Sequence, residues 1–173
     1  MSRLVVVGAS LAGLRAVESA RRAGFSGAIT LLGAEDHLPY DRPPLSKEFL
    51  TGDGTPKQFR TEDSLRDKLD VDLRLGTPAT GLDVEQRVIR AGDAAVPYTA
   101  AVLATGATAR TLPGLPALSG LHTLRTLDDA RALRTAIRPD SRVVIVGAGF
   151  IGSELACAAR RMGAEVTLVE AAP

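Results

Sequence analysis

The feature that most constrains the fold is a pattern that occurs twice: an apolar strand, a glycine-rich turn, a helix and a second strand. The first turn reads Gly8-Ala-Ser10-Leu-Ala-Gly13, and the second reads Gly147-Ala-Gly149-Phe-Ile-Gly152. Short apolar runs that end in such turns are typical of strands buried on both faces, as in parallel sheets covered by helices. Two copies this far apart along the chain indicate two related α/β domains and not a solenoid repeat.

Each copy predicts one helix between two strands. The predicted strands are Leu4–Val7, Ala28–Leu32, Val143–Val146 and Glu165–Val169, and the predicted helices are Leu11–Ala23 and Phe150–Met162. Gly24 and Gly163 follow the helices and are suited to end them. The arginine pair Arg21-Arg22 is interpreted as a solvated helix end, where cations are favourable.

The region between the copies predicts further elements. A short helix is expected over Thr61–Leu69 with Thr61 as its N-cap, and another over Asp128–Ile137 with Thr126 as N-cap. Strand character is found in segments broken by glycine and proline, which are Val71–Leu75, Gln86–Arg90 and Val96–Ala101. We expect these three segments to form a small meander, followed by a buried strand over Ala101–Ala104. The stretch Arg110–Gly120, rich in proline and glycine, is the best candidate for a linker.

Composition excludes several classes of protein. The 21 basic and 20 acidic residues nearly balance, which argues against a general binder of nucleic acid or of an anionic membrane. The single cysteine, Cys157, excludes an internal disulfide and favours a reducing compartment, so the cytoplasm is expected. We expect Cys157 to be a small buried packing residue on its helix. His37 and His122 lack the spacing of metal ligands, and no metal site is expected. No signal peptide or transmembrane segment is recognisable.

The second turn has the complete G-x-G-x-x-G pattern. Its first glycine permits the tight turn, its second lets the backbone approach a pyrophosphate, and its third permits close packing of helix on strand. The phosphates would lie at the helix N-terminus. Glu170 ends the next strand, where an acid accepts hydrogen bonds from a ribose 2′-hydroxyl. Dinucleotide binding is therefore favoured over a purely structural turn.

The first turn departs from this pattern because Ser10 occupies the second glycine position. A serine adds a side chain where a pyrophosphate would come close, although its hydroxyl can also donate to a phosphate. Glu35 follows the second strand, again in the region of a ribose. A structural turn with solvated acids remains the alternative for this copy.

Two further segments are candidates for contact with a cofactor. In Tyr40-Asp-Arg-Pro-Pro-Leu-Ser-Lys47, two prolines fix the backbone, and Arg42 and Lys47 offer cationic donors to a phosphate or a flavin edge. A rigid surface turn would explain the same residues. Ala101-Val-Leu-Ala-Thr-Gly-Ala107 is a strand that enters a turn of small residues, which permits close approach of a cofactor or simply makes a tight corner.

The order of these motifs resembles one family. The motifs occur in this order: Gly-x-Ser-x-x-Gly, Glu35, the Arg-Pro-Pro-Leu-Ser-Lys block, Leu-Ala-Thr-Gly-Ala, Leu-Arg-Thr-Leu-Asp-Asp-Ala, and Gly-x-Gly-x-x-Gly with Glu154. This order is similar to that in the putidaredoxin reductase-like ferredoxin reductases of bacterial oxygenase systems. The resemblance spans essentially the whole chain. It implies a Rossmann-like FAD-binding domain with an inserted β-meander over residues 1–113, then the first βαβ unit of a second Rossmann-like, NAD-binding domain over residues 114–173.

The resemblance also implies roles for individual residues. FAD would be bound by Gly8, Ser10, Leu11, Ala12, Gly13, Glu35, Arg42, Lys47, Ala79, Thr105, Gly106 and Arg125. NADH would be bound by Gly147, Gly149, Phe150, Ile151, Gly152 and Glu170. Lys47 and Glu154 would meet beside the flavin N5 atom as the catalytic pair.

The implied activity is electron transfer from NADH through FAD to a ferredoxin-type iron–sulfur protein, or to rubredoxin, in the service of an oxygenase. Family members are far longer than 173 residues, so we expect this chain to be an N-terminal part and to be inactive alone. Two alternatives stay open. One is an NADH oxidase, or a peroxide or nitrite reductase, with the same motifs; the other is a non-catalytic nucleotide-binding fragment.

Overall fold

The computed structural model describes residues 2–114 and 118–171, and its chain divides into two compact units. Residues 1–40 and 58–107 make the first unit, and residues 41–57 and 108–173 make the second. The predicted domain boundary at residue 113 assigns residues 41–57 to the first domain, whereas contacts group them with the second unit. The middle of the predicted linker, residues 115–117, lies outside the described residues.

The first unit contains a parallel sheet and a separate meander. Its elements are β1 (Arg3–Val7), α1 (Leu11–Arg22), β2 (Ala28–Leu32), a π-helical turn (Ser64–Lys68), β3 (Val71–Arg74), β4 (Ala79–Asp83), β5 (Val88–Ala91), β6 (Ala94–Pro97) and β7 (Ala100–Leu103). The sheet has the order β3-β2-β1-β7 with all neighbours parallel, and β4-β5-β6 is an antiparallel meander. The expected Rossmann-like α/β fold is therefore confirmed.

The apolar run of β1 is buried on both faces, as its sequence predicts. Leu4 and Val6 belong to a core cluster with Leu14 and Val17 of α1. Val5 and Val7 point to the opposite face and join the meander in a second cluster with Ile89 and others. Because successive strand residues face opposite sides, β1 needs apolar residues at every position to fill both layers.

Val71–Arg74 is a correction to the sequence prediction, since it does not belong to the meander. It pairs in parallel with β2, with Ile29 opposite Val71, as the outer strand of the main sheet. Val71 and Leu73 are buried, whereas Asp72 is exposed, which is the alternation of a strand covered on one face. The same alternation is found in meander strands, so local sequence could not name the partner. The predicted segment Val96–Ala101 is also divided, because β6 ends at Pro97 and β7 begins at Ala100.

Of the two predicted N-caps, Thr126 is confirmed. The Ser64 amide donates to Thr61 Oγ1 at 3.3 Å, but the π-helical turn begins at Ser64 and its N-cap residue is Asp63. Thr126 and Asp129 form a capping box, in which each side chain accepts from the other residue's backbone amide. The box fixes the start of the first long helix of the second unit.

The second unit is built around a βαβ element. Its elements are a 3₁₀ turn (Pro43–Ser46), α2 (Glu48–Thr51), α3 (Leu127–Ala136), β8 (Arg142–Val146), α4 (Phe150–Arg161) and β9 (Glu165–Val169). β8 and β9 pair in parallel over their full length, and α4 packs against both. Ile145 is buried, whereas Val144 and Val146 on the other face of β8 are 64% and 59% exposed.

Cys157 on α4 is a second correction, because it is exposed and not buried. The buried positions of α4 are Leu155, Ala158 and Ala159, which follow helical spacing along one side. Cys157 lies off that stripe. Its alanine neighbours suggested a packing position, but the phase of the helix decides which small residue is covered.

Across the described residues, no helix has both the length and the apolar character needed to cross a membrane.

Arg21 is a third correction, because it is a structural residue and not a solvated helix end. Its guanidinium donates to the backbone carbonyls of Phe25, Gly27, Leu69 and Asp70 at 2.7–2.8 Å. Its side chain is only 17% exposed. These bonds join the loop after α1 to the loop before β3, next to the first paired residues of β2 and β3.

We therefore expect Arg21→Ala to lower the free energy of unfolding by about 2–4 kcal/mol, since four carbonyls lose a charged donor. Arg22→Ala is the matched control, because Arg22 is the exposed neighbour on the same helix end, and its loss should cost no more than about 0.5 kcal/mol. Urea denaturation of both variants measures the difference. Equal stabilities would show that the Arg21 bonds contribute nothing net.

Candidate functional site

The first glycine turn joins β1 to α1 at the carboxyl edge of the main sheet. Gly8 has φ +114°, and a Cβ at this position would clash with the Ala104 carbonyl oxygen. A Cβ at Gly13 would clash in the same way with the Gly8 carbonyl oxygen. Both glycines are therefore required because backbone meets backbone, at the β1–β7 contact and at the start of α1.

The N-terminus of α1 opens at this turn. The Leu14 amide makes the first intrahelical bond, to the Ser10 carbonyl at 2.9 Å. The amides of Leu11, Ala12 and Gly13 have no carbonyl within the helix to accept from them, and the first turn of the helix contains no acid. Such an N-terminus attracts a phosphate. Leu11 and Ala12 are exposed there.

The position of the turn in the sheet is the one expected for a ligand. The order β3-β2-β1-β7 reverses direction at β1, and β1 and β7 are parallel neighbours. Ligands of open α/β sheets bind outside the carboxyl ends of the strands at such a switch point. Thr105 and Gly106 follow β7 after Ala104, which packs against Gly8; both are exposed and lie at the same edge as Gly8.

Glu35 lies beyond the end of β2 in contact with Tyr40. The Tyr40 hydroxyl donates to Glu35 Oε2 at 2.6 Å, and Tyr40 is only 5% exposed. The Gly76 amide donates to the Glu35 carbonyl at 3.0 Å. Ala79, exposed at the start of β4, follows this turn. Glu35, Gly76 and Ala79 are thus brought to one region of the first unit.

The second turn shares two features with the first, a positive φ at its first glycine and a helix glycine packed against that residue's carbonyl, but its first two glycines are open. Gly147 has φ +105°, and a Cβ at Gly152 would clash with the Gly147 carbonyl oxygen. A Cβ at Gly149, in contrast, would meet no atom of the described residues within 4 Å. Packing therefore explains Gly152 but not Gly149. The open space at Gly149 fits a pyrophosphate that approaches the backbone, and Phe150 and Ile151 are exposed beside it.

Glu170 is attached to the second turn through its carboxylate. It accepts from the Ala148 amide and from the Ala171 amide, each at 2.7 Å. The two bonds hold the carboxylate at the end of β9, next to the residue between Gly147 and Gly149. An acid in this place is positioned to accept from ribose hydroxyls.

The two turns differ in where they place their acids. The Gly8 amide donates to the Leu32 carbonyl, and the Gly147 amide donates to the Val169 carbonyl, each at 2.8 Å. Gly33 therefore occupies the position that Glu170 occupies in the second copy. A Cβ at Gly33 would lie 2.8 Å from Ala9 Cβ and 3.1 Å from Leu75 Cδ2, so no side chain fits there. Glu35 is two residues further on, and the sequence spacing did not reveal this difference.

A pocket of about 280 Å³ in the second unit contains the predicted catalytic pair. Lys47 Nζ lies 2.8 Å from Glu154 Oε2, so the two residues are in contact, while their place beside a flavin and their catalytic role stay a prediction. The bonds from Lys47 and Ser46 hold the pKa of Glu154 below its usual value of 4.5. The pocket is lined by Arg42, Pro43, Leu45, Ser46, Lys47, Leu124, Arg125, Ile151 and Glu154.

Cations dominate this pocket. Arg42, Lys47 and Arg125 face it with Glu154 as the one acid among its lining residues. Arg42 Nη1 donates to the Arg125 carbonyl at 2.7 Å, which connects the proline turn to the segment before α3. The surplus of positive charge suits an anionic or electron-rich ligand.

Sequence reasoning missed two residues of these sites. Ser46 donates to Glu154 Oε2 at 2.6 Å, and Tyr40 donates to Glu35. Both lie within the Tyr40–Lys47 block that the sequence singled out, but their partners are distant in sequence or beyond a turn. A tyrosine and a serine flanking two prolines give no indication of such partners.

Comparisons with known proteins agree with this geometry. A family model described as pyridine nucleotide-disulphide oxidoreductase matches residues 2–173. The chain is 41% identical to the ferredoxin–NAD(+) reductase component of an anthranilate 1,2-dioxygenase system from Burkholderia cepacia, over 97% of this chain and 42% of the relative. It is 42% identical to rhodocoxin reductase from Rhodococcus erythropolis, over 97% of this chain and 40% of the relative.

Among solved structures, a ferredoxin reductase from Rhodopseudomonas palustris matches with a TM-score of 0.93 and 39% identity, over 100% of this chain and 43% of that one. The chain thus spans about two fifths of the length of the relatives that it matches. The resemblance drawn from its motifs is confirmed. With a family model over nearly every residue, the chain belongs to the pyridine nucleotide-disulphide oxidoreductase family.

Proposed function

We propose that this chain is part of a flavoprotein that passes electrons from NADH through FAD to a ferredoxin-type iron–sulfur protein. The observation that carries the proposal is the pair of open glycine turns, each at a helix N-terminus without an acid in its first turn. Two dinucleotide sites in one chain suit an enzyme that transfers electrons between two nucleotide cofactors. The names of the relatives, ferredoxin–NAD(+) reductase and rhodocoxin reductase, support the acceptor class.

FAD is assigned to the first turn. The amides at the N-terminus of α1 would receive the pyrophosphate, and Glu35, held by Tyr40, would receive the adenosine ribose. The remaining proposed contacts are those that the motifs indicate: Gly8, Ser10, Leu11, Ala12, Gly13, Arg42, Lys47, Ala79, Thr105, Gly106 and Arg125. The absence of packing contacts at Gly149 and the anchored Glu170 support NADH at the second turn, with Gly147, Phe150, Ile151 and Gly152.

The flavin would supply the step between a two-electron donor and a one-electron acceptor. The chain's own contribution is fixed charge and orientation. Lys47 and Glu154 hold each other at 2.8 Å, so a cation and an anion have a fixed arrangement in the pocket. The sequence has one cysteine, Cys157, and flavin-linked disulfide chemistry needs two, which favours a protein acceptor.

Steady-state assays test the acceptor. The protein produced from the complete gene is supplied with NADH and with a ferredoxin, a rubredoxin, oxygen, peroxide or nitrite in turn. Fastest turnover with the iron–sulfur protein supports the proposal. Fastest turnover with oxygen, peroxide or nitrite would support an oxidase or reductase of the same family, and no flavin at all would support a nucleotide-binding fragment.

We also propose a cytoplasmic location. We propose low turnover by residues 1–173 alone, since the matched relatives are more than twice as long.

The catalytic pair gives a sharper prediction. Lys47→Met and Glu154→Gln should each slow flavin reduction by NADH about tenfold, since each removes one charge of the pair, and leave FAD content unchanged. Stopped-flow loss of flavin absorbance measures the rate. Lys57→Met and Glu165→Gln make the same chemical changes at exposed positions outside the pocket and serve as controls. Unchanged rates in both pocket variants would remove the pair from the mechanism.

A further inference from the structure

The Glu154 carboxylate is held at one oxygen atom by two donors from a single turn. Ser46 Oγ lies 2.6 Å from Glu154 Oε2, and Lys47 Nζ lies 2.8 Å from the same atom. Ser46 is 5% exposed. A hydroxyl this close to a carboxylate makes a charge-assisted hydrogen bond, which is stronger than a neutral one.

Both donors also face a second acceptor. Ser46 Oγ lies 3.3 Å from the Pro43 carbonyl oxygen, and Lys47 Nζ lies 3.2 Å from it. A serine hydroxyl has one hydrogen and must donate to one of the two acceptors, whereas an ammonium has three hydrogens and can serve both. The shorter distance shows that the Ser46 hydroxyl donates to Glu154 in this arrangement.

We infer that Ser46 is a positioning residue, which fixes the Glu154 carboxylate with Oε2 toward Lys47 and can rotate its hydroxyl to the Pro43 carbonyl when Glu154 moves away. The contact itself needs no cofactor, while its functional meaning rests on the proposed role of the Lys47–Glu154 pair. A buried hydroxyl without an acceptor would cost free energy. The Pro43 carbonyl removes that cost, so Glu154 can leave its position without orphaning Ser46.

The electrostatics of the pocket agree with this geometry. The pKa of Glu154 is lowered first by the Lys47 bond and then by the Ser46 bond. Arg42 and Arg125 are the other charged residues that line the pocket, and Glu48 is the exposed acid that follows Lys47. A lowered pKa means that the folded state gains stability above pH 4.5 and loses this gain as the pH falls through the folded pKa.

The test is a carboxyl-carbon NMR titration of Glu154 in the 173-residue chain, in Ser46→Ala and Ser46→Cys. Both variants should move the midpoint of Glu154 upward toward 4.5, because a strong donor is lost. Ser46→Thr keeps a hydroxyl and should restore the original midpoint. Ser153→Ala is the matched control, since Ser153 adjoins Glu154 in sequence but its hydroxyl donates to the Ala148 carbonyl.

An unmoved midpoint in both Ser46→Ala and Ser46→Cys would overturn the inference, even if the variants melted at lower temperature. An equal shift in Ser153→Ala would do the same. A separate measurement addresses function: in the protein from the complete gene, Ser46→Ala should slow flavin reduction about tenfold at unchanged NADH affinity, the loss of one hydrogen bond to a charged group. A shifted titration with an unchanged rate would contradict the functional role alone and leave the contact established.

Discussion

Gly152→Ala is expected to destabilise the second unit by about 3 kcal/mol or more, because the substitution creates a clash that only backbone movement can relieve. The added Cβ would strike the Gly147 carbonyl oxygen and would lie 3.4 Å from Ile145 Cγ2. A carbonyl of the turn cannot rotate away as a flexible side chain can. The start of α4 would have to shift from β8, and the turn would lose its shape.

Gly149→Ala is the matched variant with the opposite expectation. Gly149 has φ −66°, which alanine adopts readily, and its Cβ would meet no described atom within 4 Å. Its stability should stay within about 0.5 kcal/mol of the unmodified chain. If the open space serves a pyrophosphate, the same methyl group should weaken NADH binding about tenfold or more, as expected where backbone must approach phosphate closely.

Urea denaturation and calorimetric titration with NADH measure both effects. The informative result is the separation of the two variants, with Gly152→Ala losing stability and Gly149→Ala losing affinity alone. If Gly149→Ala bound NADH as tightly as the unmodified protein, the second turn would not hold the pyrophosphate as proposed.

Cofactor preference gives the second large effect. The unmodified protein should bind NADH about 100-fold more tightly than NADPH, because a 2′-phosphate would approach the Glu170 carboxylate and like charges at such a distance repel by a few kcal/mol before screening. Bonds from the Ala148 and Ala171 amides hold the carboxylate, so it cannot easily turn away. Glu170→Arg should remove the repulsion, add a phosphate donor and reverse the preference.

Dissociation constants for both nucleotides at constant ionic strength test this expectation. Glu165→Arg places the same change at the exposed other end of β9, and it should leave the preference unaltered apart from a small general gain for NADPH. Equal affinities for NADH and NADPH in the unmodified protein would remove Glu170 as the selecting residue.

The parts of the fold that sequence predicted are those with local signatures. The turns at Gly8 and Gly147 were recognisable because both need a positive φ that favours glycine, and the Thr126 cap because its hydrogen bonds lie within one helical turn. The Lys47–Glu154 pair, separated by over a hundred residues, was reached through resemblance and not through local physics.

The remaining features depend on tertiary contacts. The parallel pairing of Val71–Arg74 with β2 and the contacts of Arg21 with the Leu69 and Asp70 carbonyls involve partners distant in sequence. The exposure of Cys157 depends on which face of α4 is covered. Glu35 and Glu170 each follow the second strand of their copy, yet a Cβ at Gly33 would lie 2.8 Å from Ala9 Cβ, so only the second copy has its acid directly on the turn. The period and spacing of apolar residues predict which face of a helix or strand is buried, but they do not identify the element that packs against that face.

Amide chemical-shift mapping of the 173-residue chain tests the central claim most directly, namely that the first turn receives FAD and the second receives NADH. Labelled chain is titrated with each nucleotide separately. FAD should shift the amides of Ser10, Leu11, Ala12 and Gly13, and NADH should shift those of Gly149, Phe150, Ile151 and Gly152. If both nucleotides shifted only one turn, or if neither turn responded at concentrations that shift other residues, the assignment of two separate dinucleotide sites would be contradicted.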